Sequence, residues 1–165
     1  MRTLTLPILV LTACSIAAWG QAENSHAGHG YVFGAIGSVA PGGGGTTAHF
    51  GGGGEAFVYK GLGVGAEIGY LGPTASLSDG FGLFSANGSY HFGARTPRRK
   101  VVPFVTGGYS LAFRNGHANL ANFGGGITYW FHDRVGLRAE FRDHLYPCSG
   151  CTAHFWGFRL GLALR

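Results

Sequence analysis

Cys148-Ser149-Gly150-Cys151 stands between His144 and His154, and the spacing H-x3-C-x2-C-x2-H offers four side chains that could bind zinc tetrahedrally. The same cysteines could instead close a disulfide across a loop tip, or persist as thiols. A redox-active CxxC opens a helix, whose dipole activates the thiol, whereas this pair falls between two strand-like segments. The compartment decides among these. Met1-Arg2, the apolar stretch Leu4 to Trp19 and the small residues around Gly20-Gln21-Ala22 predict a cleaved signal peptide over 1–22, too short for a comfortable membrane helix. An exported chain meets an oxidising environment, so the expectation is a Cys148–Cys151 disulfide and no metal site.

A second constellation surrounds His144. Nucleophilic hydrolysis needs a serine, a histidine base and an acid to orient it; Glu140, Asp143 and Ser149 lie close in sequence. Ser149 belongs to the loop, and two residues after His144 stands Tyr146, so His144 reads as an interior polar residue paired with neighbouring charges. The glycine runs Gly42 to Gly45 and Gly51 to Gly54 neither follow a parallel strand nor open a helix, which excludes a phosphate loop. His26 and His29 fall in an expected N-terminal tail over 23–29 and are read as flexible rather than as ligands. No catalytic, cofactor-binding or metal residue is assigned, and the expected protein is not an enzyme.

Composition says what must position such residues. Charged residues make up 12% of the chain and hydrophobic ones 45%, about half the usual charged share. The 32 glycines have no three-residue period and are spread through apolar-aromatic segments, as in strands where backbones approach closely. The net charge of +5 comes from turns and isolated strand positions, with no basic stripe interleaved with exposed aromatics, so nucleic acid is excluded as a partner. Leu11-Thr12-Ala13-Cys14 resembles a lipoprotein box, but the apolar run continues through Trp19, which favours plain cleavage and loss of Cys14.

Eight strand-like segments follow, at 30–40, 47–59, 62–72, 81–94, 101–113, 121–131, 135–146 and 153–165. Each is near the ~9–11 residues that cross a bilayer as a tilted strand. Lys60-Gly61, Arg95 to Lys100 and His132-Asp133-Arg134 read as short connections, and the cluster Arg95, Arg98, Arg99, Lys100 as a solvated turn, with a lipid-phosphate contact as the alternative. Pro41 to Thr46, Pro73 to Gly80, Arg114 to Leu120 and Pro147 to Thr152 read as longer loops, so connection length alternates. This places both termini on the periplasmic side.

Period-two alternation sorts the faces. In 135–146, Val135, Leu137, Ala139, Phe141 and Leu145 oppose Arg138, Glu140, Arg142 and His144, with Asp143 breaking the apolar phase. In 153–165, Trp156, Phe158, Leu160, Leu162 and Leu164 oppose Gly157, Arg159, Gly161 and Ala163. The first two segments are weaker, and the fifth is ambiguous because Val102 and Phe104 share its nominally polar face. An ionised group facing hydrocarbon costs about 2–4 kcal/mol at mid-membrane, so the charged phase must face inward. The expectation is an interior network of Glu55, Glu67, Arg138, Glu140, Arg142, His144 and Arg159, filling a lumen only wide enough for side chains. Tyr70, Tyr90, Phe92, Tyr109, Tyr129, Trp130, Phe131 and Tyr146 sit near segment ends, where aromatic girdles belong.

With these features residues 30–165 resemble the small outer-membrane β-barrel family of the OmpA-transmembrane-domain and OmpX kind. The resemblance implies an all-β, eight-stranded antiparallel up-and-down transmembrane barrel, monomeric, in the Gram-negative outer membrane. Its partners would be outer-membrane lipids, lipopolysaccharide and the barrel-assembly machinery, with no cofactor. Arg159, Gly161 and Leu164 fit the family's C-terminal assembly signal, although Arg165 stands where the family has an aromatic residue. The implied role is structural or surface interaction. The rival readings are a lipid A-modifying hydrolase, whose His-x-Ser pattern is missing here, a narrow pore, and a soluble periplasmic barrel.

Overall fold

The computed structural model describes residues 28–41, 45–93 and 99–165. The expected signal peptide, Cys14, His26, and Arg95 and Arg98 lie outside the described residues. Eight strands follow in order: β1 Gly28–Ala40, β2 Thr46–Tyr59, β3 Leu62–Pro73, β4 Phe81–His91, β5 Val101–Phe113, β6 His117–Trp130, β7 Val135–Cys148 and β8 Cys151–Leu164. A single 3-10 turn, Leu77–Asp79, interrupts the β3–β4 connection. Each strand pairs antiparallel with the next, and β8 returns to β1 through Gly34↔Leu160 and its neighbours, closing the barrel. The closed ladder leaves no strand edge, so every strand backbone can find its partner within the wall.

Several boundaries move outward from the sequence expectation. β1 starts at Gly28, so His29 is a strand residue opposite Glu55 rather than part of a tail. Its ring is buried among Phe57, His91 and Trp130, with centroids 5.8, 5.7 and 5.9 Å away. β6 begins at His117, because Phe113↔His117 through Tyr109↔Ala121 continue the ladder and Tyr109 donates its hydroxyl hydrogen to Asn119 Oδ1 at 2.6 Å. β7 and β8 pair to Cys148↔Cys151, leaving Ser149 and Gly150 as the turn. Two of the four loops expected to be long are therefore tight, and connection length does not alternate. Residues of turn-favouring type stay in the ladder because pairing satisfies their backbone groups.

Facing is set by parity. Val32, Phe50, Ile68, Phe84, Val105, Ile127, Leu137 and Leu160, one from each strand, are all exposed on the outer wall. The opposite phase holds the buried polar and charged residues, among them His29, His49, Glu67, Ser85, Ser110, Asn122, Arg142 and Arg159. β5 resolves its ambiguity inward, with Val102 and Phe104 buried. Val102 joins Tyr31, Phe33, Trp130 and Ala163 in an apolar cluster at the end that holds both termini of the barrel, while Phe104 stacks on His91. Trp130 thus leaves the expected outer girdle, because it shares the phase of Asn122 and Thr128.

The glycines explain how the interior accepts long charged side chains. Gly51, Gly53, Gly63, Gly65, Gly69, Gly124 and Gly126 all occupy inward positions of β2, β3 and β6. A Cβ on Gly53 would lie 2.7 Å from the Cβ of Glu67, and one on Gly124 would lie 3.0 Å from Nε of Arg142. Volume removed at these positions is volume available to arginine and glutamate.

Candidate functional site

The centre of the lumen is built by β3, β7 and β8, which direct Glu67, Arg138, Glu140, Arg142 and Arg159 to a common point. Arg159 Nη1 lies 2.9 Å from Glu67 Oε1 and 3.8 Å from Glu140 Oε1. Arg142 Nη2 lies 2.5 Å from Glu140 Oε1, and Arg138 Nε 3.0 Å from Glu140 Oε2. Tyr31 donates to Glu67 Oε2 at 3.0 Å. All five charged groups are 5% exposed or less, so each must be matched inside the wall.

Three guanidiniums share two carboxylates here, and imidazoles face further donors of Arg138 and Arg159. Arg138 Nη1 faces His29 Nε2 at 3.3 Å, while Arg159 Nη2 faces His49 Nδ1 at 3.3 Å and His144 Nε2 at 3.1 Å. A guanidinium only donates, so these ring nitrogens accept. His144 then carries its hydrogen on Nδ1 and donates it to Ser110 Oγ, 3.1 Å away. Asn122 also donates to Ser110, at 2.8 Å, and accepts from Arg142 at 2.9 Å. Ser110 is left to donate to Ser85, at 2.8 Å. The guanidinium planes of Arg138 and Arg159 stack on Phe104 and Phe33, at 3.8 and 4.3 Å.

Of the seven residues expected in the network, six meet. Glu55 stands apart: it lies 2.6 Å from His91 Nε2 and accepts from Ser89, nearer the terminus-side end. His29, His49, Tyr31, Ser110 and Asn122 were not placed in the network from sequence. For Ser110 and Asn122 parity was the available signal. For β1 it was masked by Tyr31 and Phe33, whose aromatic rings face inward.

The arrangement has consequences for chemistry. His144 and Ser110 are within hydrogen-bond reach, yet the nitrogen facing the serine is Nδ1, which carries the hydrogen because Arg159 occupies the Nε2 lone pair, so no base faces the hydroxyl. Asp143 does not orient His144; it leaves the barrel on the other face and pairs with His154 at 2.7 Å. The four-ligand zinc arrangement is likewise not formed. His144 points into the lumen and His154 outward, and Cys148 and Cys151 are bonded to each other with Cα atoms 5.0 Å apart. Above the network, toward the end opposite the termini, a cavity of about 10 Å³ lies beside His49, Arg142, His144 and Arg159, about the room one water needs. Arg159 and Gly161 of the expected assembly signal point inward and Leu164 outward.

No family model matches the chain, and no curated protein matches it in sequence. Solved structures do share its fold. The N-terminal β-barrel domain of OprF from Pseudomonas aeruginosa superimposes with a TM-score of 0.63 at 19% identity, over 83% of this chain and 95% of that one. Neisserial surface protein A gives 0.62 at 13% identity, over 86% and 99%. OprG from Pseudomonas aeruginosa gives 0.56 at 9% identity, over 84% and 95%. The chain therefore has the fold of the small eight-stranded outer-membrane barrels.

Proposed function

We propose that this chain is a non-enzymatic outer-membrane β-barrel with a structural or surface-interaction role and a lumen closed by its own side chains. One observation carries the reading. Large apolar side chains are exposed on all eight strands, among them Ile36 at 67% and Phe158 at 65%, while Arg142 and Glu67 are 2% and 3% exposed. Water would reject that arrangement, and hydrocarbon requires it. With the termini at the periplasmic end, the β1–β2, β3–β4, β5–β6 and β7–β8 connections face outward from the cell. The barrel would meet outer-membrane lipids and lipopolysaccharide along its wall. Its last strand, with Arg159, Gly161 and Leu164, would be read by the barrel-assembly machinery. The structural neighbour named a neisserial surface protein fits an exposed role of this kind.

Closure rests on the two apolar layers around the charge network. Tyr31, Phe33, Val102, Trp130 and Ala163 fill the terminus-side end, and Leu71, Leu83 and Leu120 are buried toward the other. The engaged lone pair of His144 weighs against lipid A hydrolysis.

The test is membrane fractionation followed by gels of heated and unheated samples. The expected result is recovery with the outer membrane and a change of mobility on boiling. Recovery in the soluble periplasm with no shift would sink the membrane reading. Sustained single-channel conductance in planar bilayers would replace the closed lumen with a pore, and an altered lipid A mass spectrum dependent on the gene would restore the enzyme.

A further inference from the structure

We propose that the terminus-side rim of the barrel is a ring-shaped contact for anionic glycerophospholipid headgroups, resting on the membrane reading above. The three connections at this end each carry exposed cations, Lys60 between β2 and β3, Arg99 and Lys100 between β4 and β5, and Arg134 between β6 and β7. Arg165 follows β8 at the same end. Against these five stands one described acid, Asp133.

The opposite end has no such excess. Its connections hold Asp79 and Arg114, which lie 3.9 Å apart, and Arg114 also donates to the Ser78 carbonyl at 2.8 Å. The β1–β2 connection, Pro41 to Gly45, and the Ser149-Gly150 turn carry no charge. Charge is therefore segregated along the barrel axis, onto the rim that holds the chain's ends.

The distribution around the rim identifies the occupant. A globular protein partner would be met by cations on one side of the barrel. Here they come from connections spaced around the whole circumference, which only the surrounding lipid touches all at once. Exposed aromatic residues adjoin them on the outer wall: Tyr59 beside Lys60, with Nζ 5.0 Å from the ring, Phe92 below Arg99, and Phe131 near Arg134. Aromatic rings at headgroup depth with cations just beyond them match a phosphate layer over an acyl interior. With the termini periplasmic, that layer is the phospholipid leaflet rather than the lipopolysaccharide leaflet.

The experiment folds the mature chain into phosphatidylcholine vesicles containing trace spin-labelled phosphatidylcholine or phosphatidylglycerol. The fraction of label slowed at the protein surface is then measured by electron paramagnetic resonance. The expected result is a preference of about threefold for phosphatidylglycerol, within the roughly fivefold that one cation near an anionic surface supplies. It should decline as salt is raised. The variant Lys60→Gln/Arg99→Gln/Lys100→Gln/Arg134→Gln should lose the preference while keeping the heat-dependent gel shift, and Arg114→Gln should keep both. Equal association of the two lipids, or a preference unchanged in the fourfold variant, overturns the rim assignment. A lipopolysaccharide affinity that falls in the fourfold variant without a phosphatidylglycerol preference overturns it too, and moves the rim to the other leaflet. If no slowed lipid appears at all and the gel shift is also absent, the membrane reading itself fails.

Discussion

Arg159 and His144 meet inside the barrel with Nη2 3.1 Å from Nε2, and this contact fixes which imidazole nitrogen holds the hydrogen. It links the ion pairs of β3 and β8 to the serine and asparagine chain of β4, β5 and β6. His144→Gln keeps an acceptor for Arg159, whereas His144→Phe leaves Arg159 Nη2 with His49 alone and Ser110 with one donor fewer. The phenylalanine variant should lose about 1–3 kcal/mol and the glutamine variant less, read as urea midpoints of the gel-shifted folded band in vesicles.

Glu67 receives Arg159 from β8 and Tyr31 from β1. Removing one partner strands a buried charge, at a cost of about 3–5 kcal/mol, while removing both with shape preserved costs far less. Glu67→Gln, which leaves one carboxylate among three guanidiniums, should be strongly destabilising, Arg159→Met less so because Arg142 still faces Glu67 at 3.9 Å, and their combination milder than the sum. A double-mutant cycle that adds without coupling would refute the pair's role.

Gly124 faces Arg142, and a side chain there would press on the Phe141 carbonyl and on a guanidinium held by Glu140 and Asn122. Gly124→Val should destabilise by about 1–3 kcal/mol through overpacking. Gly34 lies on the outer wall with open space around its missing Cβ. Gly34→Ala should stay within about 0.5 kcal/mol, the range of surface changes that disturb no buried contact.

Leu160 sits in the middle of β8, opposite Gly34 and Ala139, and is 62% exposed. Leu160→Arg should cost about 2–4 kcal/mol in vesicles, whereas Val58→Arg, beside the Lys60 turn, should cost about 0–1 kcal/mol. Equal costs at the two depths would contradict a membrane centred on the barrel's middle.

Cys148 and Cys151 are already ladder partners, three positions apart. The loop their bond closes is too short to restrict the unfolded chain greatly. Cys148→Ser/Cys151→Ser should lose no more than about 2 kcal/mol and should retain the heat-dependent gel shift.

Strand number, pairing order and the inward phase of β3, β6, β7 and β8 were legible in the sequence, because alternation there sets large apolar residues against glycine and charge. β1 and β5 were not, since Tyr31, Phe33, Val102 and Phe104 face the lumen and resemble lipid-facing residues in type. Their position follows from layering along the barrel axis, where buried apolar side chains gather toward the terminus-side end of a polar interior. Strand ends were also misplaced. Asn119, Pro147 and Thr152 have turn chemistry, yet their backbones remain paired in the wall. Glu55 was expected among the arginines from its parity alone, but its height along β2 puts it beside His91 instead.

The ion pair between Glu67 and Arg159 joins two halves of unlike sign. The interior of β1–β4 contributes Glu55 and Glu67 and no lysine or arginine, while that of β5–β8 contributes Arg138, Arg142 and Arg159 against Glu140 alone. Laid flat, the sheet would carry an acidic inner face on its first four strands and a basic one on its last four. Closing the barrel sets these two faces against each other, so the charge that one half-sheet buries is neutralised by the other.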